Sequence, residues 1–391
     1  MVMVPAMASR PAPPAAVHLA QATLASVPPS RQLQADWVAF KRRYLAPDGR
    51  VIDSGNAGIS HSEGQSYGMI VAVWMDDRPA FDAMWAWTNR RLRRPRDSLY
   101  AWRYDPHARI RVNDMNNATD GDLVLAWALY RGALRWGESE MAEAAFAIAR
   151  DMLTLCTTTY VDRQVLLPGA AGFRRADHIV LNPSYYAFSA FRSLSRLVPD
   201  DRWVQLEAGG IDIISAGRFG QWGLPPDWSE VRPNGTINPA PAWPPRFAWD
   251  AVRVPMYLAW AGLNLPVLEA AVAFWHAPTH PRRPPAWVDL RNNAIAPYPG
   301  HAGVKAVVNL AAWRSGRGGP PPHIPVASAT DYYGAALILL CALAASEPPE
   351  PPGVPAAVTA PPARGGVLSR VTDFLGFGGE APVRDTARMI R

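Results

Sequence analysis

Residues 60–75 read SHSEGQSYGMIVAVWM, a polar start followed by an apolar run. The serines at its beginning are good N-cap residues and the apolar residues continue for about three turns, so the stretch predicts a helix. Glu63 falls in the first turn, where a carboxylate commonly just pairs with the helix dipole. Gly64 and Gly68 leave one face bare beside Glu63, although each costs roughly 1 kcal/mol relative to Ala. A helix that contains glycines of low helix propensity beside an exposed carboxylate is a candidate functional site.

Comparable helical runs recur through the rest of the chain, and they are of two kinds. Runs with few charged residues alternate with runs that have one apolar and one polar face. A helix that is apolar all round is buried, whereas a helix with a single apolar face lies at the surface. The alternation predicts an all-α protein with about six buried helices in an inner ring and five or six helices in an outer ring. The buried runs begin near Glu63, Asp120, Asn182, Asp250, His301 and Asp331.

Two features depart from this helical pattern. No clear helix is predicted between residues 315 and 329, where Gly and Pro dominate, so the outer ring is one helix short. Strand patterns are almost absent, with short candidate pieces only around residues 109–112 and 164–167.

The composition of the chain indicates which class of protein it belongs to and which kinds of partner it lacks features for. Of 391 residues, 49% are hydrophobic and 18% are charged, which is typical of a globular chain. No apolar run approaches the roughly 20 residues that cross a membrane. The net charge of +6 is modest, and the only dense basic cluster is Arg90, Arg91, Arg93 and Arg94. A nucleic-acid groove needs a longer basic stripe with stacking aromatics, so neither a nucleic-acid partner nor a membrane span is predicted.

The distribution of Pro and Ala divides the chain into three parts. Residues 1–32 lack a charged segment followed by an unbroken apolar one, so we interpret them as a flexible leader and not as a signal peptide. Residues 33–345 contain the helical runs and form the predicted main domain. Residues 346–391 begin as a Pro-rich linker, and residues 367–377 within them have the pattern of a short amphipathic helix.

Acidic residues stand at the start of several buried runs. They are Glu63, Asp120, Asp122, Asp250 and Asp331. In a ring of parallel inner helices, residues at the same end of each helix converge on one mouth. Any one of these acids is as easily explained as an N-cap, but acids that meet in one place repel one another and lose solvent, so at least one pKa rises. A separated pair of carboxyl groups suits glycoside hydrolysis, in which one protonates the leaving oxygen and the other activates water.

Tryptophans in predicted loops support a sugar ligand. The chain has 16 Trp residues, of which Trp102, Trp222, Trp228 and Trp243 lie in loops. Flat rings in loops can stack on pyranose faces, or they can fold back onto the barrel, and the sequence leaves both readings open.

Other chemistries find little support. The closest His pair, His276 and His280, has Pro278 between its members and no carboxylate on a shared helical face, so no metal site is predicted. No nucleophile elbow, phosphate-binding loop or dinucleotide fingerprint is present in the sequence. The sequence therefore predicts neither a metal nor a cofactor.

Several segments together resemble glycoside hydrolase family 8, in particular its endo-β-1,4-glucanases that accompany bacterial cellulose synthase. The resemblance extends over roughly residues 33–345, in the order found in the family. The matching segments are VID at 51–53, SEGQSYGM at 62–69, ATDGD at 118–122, LLPG at 166–169, NPSY at 182–185, PDW at 226–228, DAVRV at 250–254 and DYY at 331–333.

The resemblance implies an (α/α)6 barrel that hydrolyses a β-1,4-glucan such as cellulose, with inversion and without a cofactor. By position, Glu63 matches the general acid and Asp250 the base, and their carboxyl groups are expected to lie about 6.5–9.5 Å apart. Asp120 matches the family-signature acid, which we interpret as holding a distorted sugar and tuning Glu63. Arg253, three residues after Asp250, is implied to orient that carboxylate or to bond the sugar. Further sugar contacts are implied for Tyr185, Trp102 and Tyr332.

The resemblance also concerns partners and location. It implies contact with the cellulose synthase complex and a periplasmic or secreted location, although no signal peptide is readable in the sequence. Two alternatives stay open. One is the same fold acting on xylan, mixed-linkage glucan or chitosan, and the other is a largely non-catalytic glucan-binding accessory protein of the synthase.

Overall fold

Helices dominate the computed structural model, which describes residues 27–278 and 284–353. The eleven α-helices among these residues are α1 (Arg31–Tyr44), α2 (Ser62–Trp74), α3 (Arg78–Arg91), α4 (Thr119–Trp136), α5 (Ser139–Leu155), α6 (Phe188–Leu197), α7 (Arg202–Ala216), α8 (Arg253–Ala261), α9 (Pro266–Trp275), α10 (Ala302–Arg314) and α11 (Tyr332–Ser346). Within the described part of the chain, no helix combines the length and the hydrophobicity that crossing a bilayer requires.

Six helices form a closed inner ring. Helices α2, α4, α6, α8, α10 and α11 pack each against the next, and α11 packs against α2. The sequence explains their position, because in α2 every residue from Gly64 to Trp74 is buried. Helices α1, α3, α5, α7 and α9 lie outside the ring. In α5, for example, Met141, Ala145, Ile148 and Met152 form one buried stripe. The predicted all-α fold, an (α/α)6 barrel with buried helices inside amphipathic ones, is confirmed.

A non-helical segment takes the place of a twelfth helix. Between α10 and α11 the chain forms only a short 3₁₀ turn, Val326–Ser328. Asp36 of α1 holds this segment, since its Oδ1 accepts from the Val326 N–H at 2.8 Å and its Oδ2 lies 2.6 Å from Nε2 of His323. The prediction that no helix forms between residues 315 and 329 is therefore confirmed.

Short strands connect the helices at the end where the inner helices begin. The nine strands in the described residues are β1 (Ser60–His61), β2 (Arg103–Tyr104), β3 (Thr157–Tyr160), β4 (Arg163–Leu166), β5 (Ile179–Leu181), β6 (Ser229–Val231), β7 (Ile237–Pro239), β8 (Arg246–Phe247) and β9 (Val288–Asp289). They pair antiparallel as β1–β2, β3–β4, β5–β6–β7 and β8–β9. Of the two predicted pieces, residues 164–167 overlap β4, whereas residues 109–112 form no strand. Strands of two to four residues are too short to show the alternation that sequence analysis detects.

The chain after α11 crosses the far end of the barrel. Arg131 of α4 makes two hydrogen bonds to the carboxylate of Glu347, one of them 3.0 Å long, and Nε1 of Trp260 lies 3.3 Å from the same carboxylate. Arg314 donates to the carbonyl oxygens of Ala344 and Glu347 at 2.9 and 2.8 Å. The first residues of the predicted linker thus contact the ends of α4, α8 and α10. Residues 1–26 of the predicted leader, His280 and the predicted helix at 367–377 lie outside the described residues.

We expect Glu347→Ala to lower the free energy of unfolding by about 3 kcal/mol, because it leaves the buried guanidinium of Arg131 without a counter-ion. Urea unfolding followed by tryptophan fluorescence measures the change. The matched control is Glu269→Ala, which breaks the half-exposed ion pair with Arg317 and is expected to cost less than about 1 kcal/mol. Equal losses in the two variants would contradict a special role for the buried pair.

Candidate active site

Three carboxyl groups meet around one buried arginine. Glu63 lies in the first turn of α2, Asp120 in the first turn of α4, and Asp250 in the turn that leads into α8. Arg253 is the first residue of α8, and its side chain is 2% exposed. Its Nη1 contacts the carboxylate of Glu63 and lies 3.4 Å from Oδ2 of Asp120, while its Nη2 donates to Oδ1 of Asp250 at 2.7 Å. The guanidinium therefore connects all three acids.

Further side chains fix the position of the Arg253 guanidinium. Nη2 donates to Oγ of Ser184 at 2.9 Å, and Nη1 donates to the hydroxyl of Tyr67 at 3.3 Å. The ring of Tyr185 packs against the guanidinium, with 5.8 Å between the ring centroid and Cζ. The sequence pattern alone assigns no role to Tyr67 or Ser184. Tyr67 is four residues after Glu63, so helical spacing alone places the two on one face of α2.

The carboxyl groups of Glu63 and Asp120 are hydrogen-bonded to each other. Two carboxyl groups in contact resist simultaneous ionisation, so the pair retains one proton. Burial and the negative charge of Glu63 raise the pKa of Asp120 well above its ordinary value. Burial also raises the pKa of Glu63, but Arg253, His61 and the hydrogen bond with Asp120 outweigh it, so the pKa of Glu63 is lowered overall. These opposite shifts favour Asp120 over Glu63 as the holder of a shared proton.

Asp250 is the most open of the three acids. Its side chain is 30% exposed, compared with 17% for Glu63 and 4% for Asp120. Its Oδ1 accepts a hydrogen bond from Arg253, and its Oδ2 accepts one from Nε1 of Trp228 at 3.1 Å. Burial raises the pKa of Asp250, and although Arg253 and Trp228 oppose this effect the overall shift is upward. A carboxylate with lone pairs open to the cleft can accept a proton from water.

The acids lie in an open cleft of about 600 Å³. The aromatic residues that line it are Trp102, Tyr185, Trp228, Trp249 and Tyr333. Trp249 is 52% exposed, and its ring stacks on the imidazole of His301 with centroids 5.5 Å apart. The indole N–H of Trp102 donates to Asp114 at 2.8 Å, which fixes the orientation of that ring. The cleft thus combines buried acids with open aromatic surface, as a sugar-binding site requires.

Six of the seven predicted site residues line this cleft. They are Glu63, Asp120, Asp250, Arg253, Tyr185 and Trp102. The seventh, Tyr332, is fully buried and packs against Phe40 and Tyr44, each with ring centroids 6.1 Å apart. Tyr333 lines the cleft instead. The prediction of a sugar contact for Tyr332 is therefore wrong, because adjacent residues of a helix point in directions about 100° apart and the motif did not reveal which tyrosine faces the core.

The other acids at helix starts have structural roles. Asp331 is the N-cap of α11 at the edge of the cleft, where its Oδ1 accepts from the N–H of Gly334 at 2.8 Å. Asp122 is fully buried away from the cleft, and its oxygens accept from the Tyr100 N–H at 3.0 Å and from Nδ2 of Asn117 at 2.9 Å. For these two acids the capping or structural reading is the correct one.

Some of the loop tryptophans line the cleft and others fold back onto the barrel. Trp222 packs against Phe274, with ring centroids 5.6 Å apart, and so lies on the barrel. Trp228 lines the cleft, but its ring is stacked on Trp243 at 4.6 Å and on Phe173 at 6.0 Å. Trp102 lines the cleft, and the guanidinium of Arg103 lies 5.8 Å from the centroid of its ring.

A glycine allows the two neighbouring acids to meet. A Cβ at Gly121 would lie 2.2 Å from Oγ of Ser62 and 2.8 Å from the backbone nitrogen of Glu63. Because these contacts are closer than any side chain allows, Gly121 lets the start of α4 touch the start of α2. Asp120, the residue before it, is thereby brought to Glu63.

The glycines of α2 serve packing and do not expose Glu63. A Cβ at Gly68 would lie 2.5 Å from Sδ of Met84 in α3, and one at Gly64 would lie 3.1 Å from the hydroxyl of Tyr332. The interpretation of a bare face beside Glu63 is wrong in this respect, since both glycines face neighbouring side chains. Among the described residues, the active site included, no group of three or more His, Cys, Asp and Glu side chains is arranged to hold a metal ion.

Comparison with known proteins identifies the family. A family model described as glycosyl hydrolases family 8 matches residues 12–347. A probable endoglucanase from Novacetimonas hansenii is 43% identical over 313 residues, covering 80% of this chain and 90% of the relative. An endoglucanase from Cellulomonas uda is 40% identical over 285 residues, covering 72% and 78%. The solved structure of an endo-β-1,4-glucanase from Acetobacter xylinum matches with a TM-score of 0.77 and 41% identity, covering 81% of this chain and 98% of that one. The chain belongs to glycosyl hydrolase family 8.

Proposed function

We propose that the protein hydrolyses internal β-1,4-glucosidic bonds of cellulose by an inverting mechanism. The observation that carries the proposal is the Arg253 cluster, in which Glu63 with its partner Asp120 and the more open Asp250 are held by one guanidinium at the base of an open cleft. The relatives that bear the name endoglucanase support the substrate class, because they match most of this chain.

In this mechanism Glu63 is the general acid and Asp120 supplies its proton. The proton shared by the pair moves to Glu63, and the negative charge then lies on Asp120, 3.4 Å from Nη1 of Arg253. Arg253 therefore stabilises the charge on either member of the pair. Glu63 donates the proton to the glycosidic oxygen as the bond breaks.

Asp250 is the base in the same mechanism. It takes a proton from a water molecule as the water attacks the anomeric carbon from the face opposite the leaving group. Arg253 and Trp228 fix its two oxygens, and the 30% exposure of its side chain leaves room for that water. The spacing of about 6.5–9.5 Å between the carboxyl groups of Glu63 and Asp250 stays a prediction of the inverting mechanism.

Two observations favour an endo-acting enzyme over a glucan-binding accessory protein. The cleft is open, with Trp249 half exposed at its surface, so a polymer can lie across it. A binding surface needs no buried cluster of acids, yet the side chains of Glu63 and Asp120 are only 17% and 4% exposed, and burying charged groups costs desolvation energy. Chemistry that needs a stored proton explains this arrangement.

We further propose that the glucan comes from a cellulose synthase complex and that the enzyme is periplasmic or secreted. The support is the resemblance of residues 62–69 and 118–122 to synthase-associated endoglucanases. Immunodetection in fractionated cells that express the gene natively tests the location. Recovery of the protein with cytoplasmic markers would contradict it.

We expect Glu63→Gln and Asp250→Asn each to lower the rate at which carboxymethylcellulose loses viscosity by at least about 100-fold, because each removes one proton-transfer group. Glu140→Gln is the matched control, since Glu140 also lies in the first turn of a helix but on the exposed outer helix α5. Rapid viscosity loss with the wild type and the control alone is the expected result. Absence of any loss with folded wild-type protein would overturn the cellulase proposal.

We expect the pH dependence of kcat/KM to be bell-shaped, with an acidic limb above the ordinary Asp pKa of about 3.9, because Asp250 must be ionised and its pKa is raised. The alkaline limb reports loss of the proton shared by Glu63 and Asp120. Asp120→Asn leaves Glu63 without a second ionisable carboxyl group beside it, so Glu63 in the variant loses its proton at lower pH than the pair loses its shared proton. Since the acid acts only when protonated, the alkaline limb should move to lower pH in this variant. An unchanged alkaline limb would show that Asp120 does not tune Glu63.

A further inference from the structure

Asp227 holds the backbone turn that carries Asp250. One oxygen of Asp227, Oδ1, accepts from the N–H groups of Ala248 at 3.0 Å, Asp250 at 3.1 Å and Ala251 at 2.7 Å. The first N–H groups of a helix need external acceptors, and α8 has no side-chain cap bond of its own. Asp227, from the loop before β6, supplies that acceptor for the turn ahead of α8. The position of the Asp250 backbone is therefore fixed from a distant part of the chain.

Trp228, the next residue, holds the carboxylate of Asp250. Its Nε1 donates to Oδ2 at 3.1 Å. The indole itself is held by parallel stacking on Trp243, with centroids 4.6 Å apart, and on Phe173 at 6.0 Å. Tyr185 meets the ring edge-on at 6.1 Å. The stack leaves the indole little freedom to turn, so its N–H stays aimed at the carboxylate.

We propose that Asp227 and Trp228 are positioning residues for the base, one fixing the backbone of Asp250 and the other fixing its carboxylate. The inference rests on the proposed function, in which Asp250 activates water. The hydrogen bonds from Arg253 to Oδ1 and from Trp228 to Oδ2 oppose rotation of the carboxylate, which lines the cleft with 30% of its side chain exposed. Preorganisation of this kind contributes to the rate because the base need not reorient in the transition state.

The arrangement differs from a sugar-stacking role for Trp228. A tryptophan that stacks on a pyranose presents an open face, whereas Trp243 lies parallel to the Trp228 ring at 4.6 Å. What Trp228 presents to the site is the N–H edge of its ring. Loss of that N–H should therefore affect kcat, and loss of a stacking face would instead affect KM.

The test compares Trp228→Phe with the wild type. Phe keeps an aromatic ring in the stack and removes the N–H, so we expect kcat to fall about 10-fold to 100-fold with KM changed less than about twofold. The donor favours the ionised form of Asp250, and its loss should move the acidic limb of the pH profile to higher pH. Other charged or titratable groups facing Asp250 are Glu63, Asp120, Asp227, Arg253, Tyr185 and Tyr333, and the variant leaves all of them in place.

The control is Trp136→Phe. Nε1 of Trp136 also donates to an aspartate, Oδ1 of Asp76 at 2.9 Å, but at the other end of α4 and outside the cleft. This variant loses the same kind of hydrogen bond, and its kcat and acidic limb should match the wild type. Trp228→Phe with a wild-type kcat, or with a raised KM alone, would overturn the positioning role of Trp228.

Asp227 is tested by a pair of substitutions. Asp227→Ala removes the acceptor for the three N–H groups and is expected to lower kcat at least about 10-fold, whereas Asp227→Asn keeps an acceptor oxygen and should recover most of that loss. Equal kcat in the Asn and Ala variants would contradict the role of the acceptor. If Asp227→Ala does not fold, two other comparisons with the wild type test the proposal. One is the acidic limb of the pH profile of Asp227→Asn, and the other is the kcat and acidic limb of Trp228→Phe.

Asp250→Asn separates this inference from the proposed function. Retention of activity by Asp250→Asn would show that Asp250 is not the base, and the proposed function itself would fail. Loss of activity in Asp250→Asn together with wild-type kinetics in Trp228→Phe and Asp227→Ala would leave the base assigned and overturn only the positioning role.

Discussion

The buried guanidinium of Arg253 is the interaction on which the site depends. A buried charge is costly unless opposite charges and hydrogen bonds compensate it, and Arg253 finds both in Glu63, Asp250, Ser184 and Tyr67. With Asp120 also ionised, three negative charges would surround one positive charge, leaving a net charge of −2. Retention of one proton by the Glu63–Asp120 pair reduces that imbalance to −1. The same requirement for charge compensation therefore holds the cluster together and stores the proton that an acid catalyst needs.

The barrel supplies this cluster by bringing helix starts to one place. Glu63 and Asp120 lie in the first turns of neighbouring parallel helices, where the helix dipole favours a negative charge. Gly121 removes the side chain that would separate them. The short strands hold the loops around the helix starts, since β1 pairs with β2 and the Ser62 N–H donates to the carbonyl of Trp102 at 3.1 Å. A fold composed almost entirely of helices thus uses its few strands where the site needs rigidity.

What the sequence could predict was local, and what it could not predict depends on distant contacts. Buried and amphipathic helices are distinguished by patterns within about fifteen residues, so the ring of inner helices could be predicted from the alternation of these patterns. The three-residue spacing of Asp250 and Arg253 likewise placed them on one side of a turn. The phase of a helix start is harder to read, because a shift of one residue exchanges the buried Tyr332 for Tyr333 at the cleft.

Contacts between residues far apart in the chain leave no pattern in the sequence from which they could be predicted. Asp120 and Asp122 differ by two positions in one motif, yet only Asp120 reaches Arg253, because Asp122 points to Tyr100 and Asn117. Trp228 attracted interest as a loop aromatic, but its hydrogen bond to Asp250 joins residues 22 positions apart. Arg131 and Glu347 are 216 positions apart. Such pairs are defined by the closed barrel, so only the assembled fold reveals them.

The side chains of the three acids differ in solvent exposure, and this difference accounts for a complete proton cycle in the proposed mechanism. Each inverting turnover leaves Asp250 protonated and the Glu63–Asp120 pair short of one proton. Asp250 is the most exposed of the three acids and can release its proton to solvent, whereas the buried Asp120 binds a proton strongly because its pKa is raised. Arg253 contacts the cluster throughout and compensates whichever carboxyl group is ionised. In the proposed mechanism, solvent access lets Asp250 lose its proton, and the raised pKa of Asp120 lets the acid pair regain one.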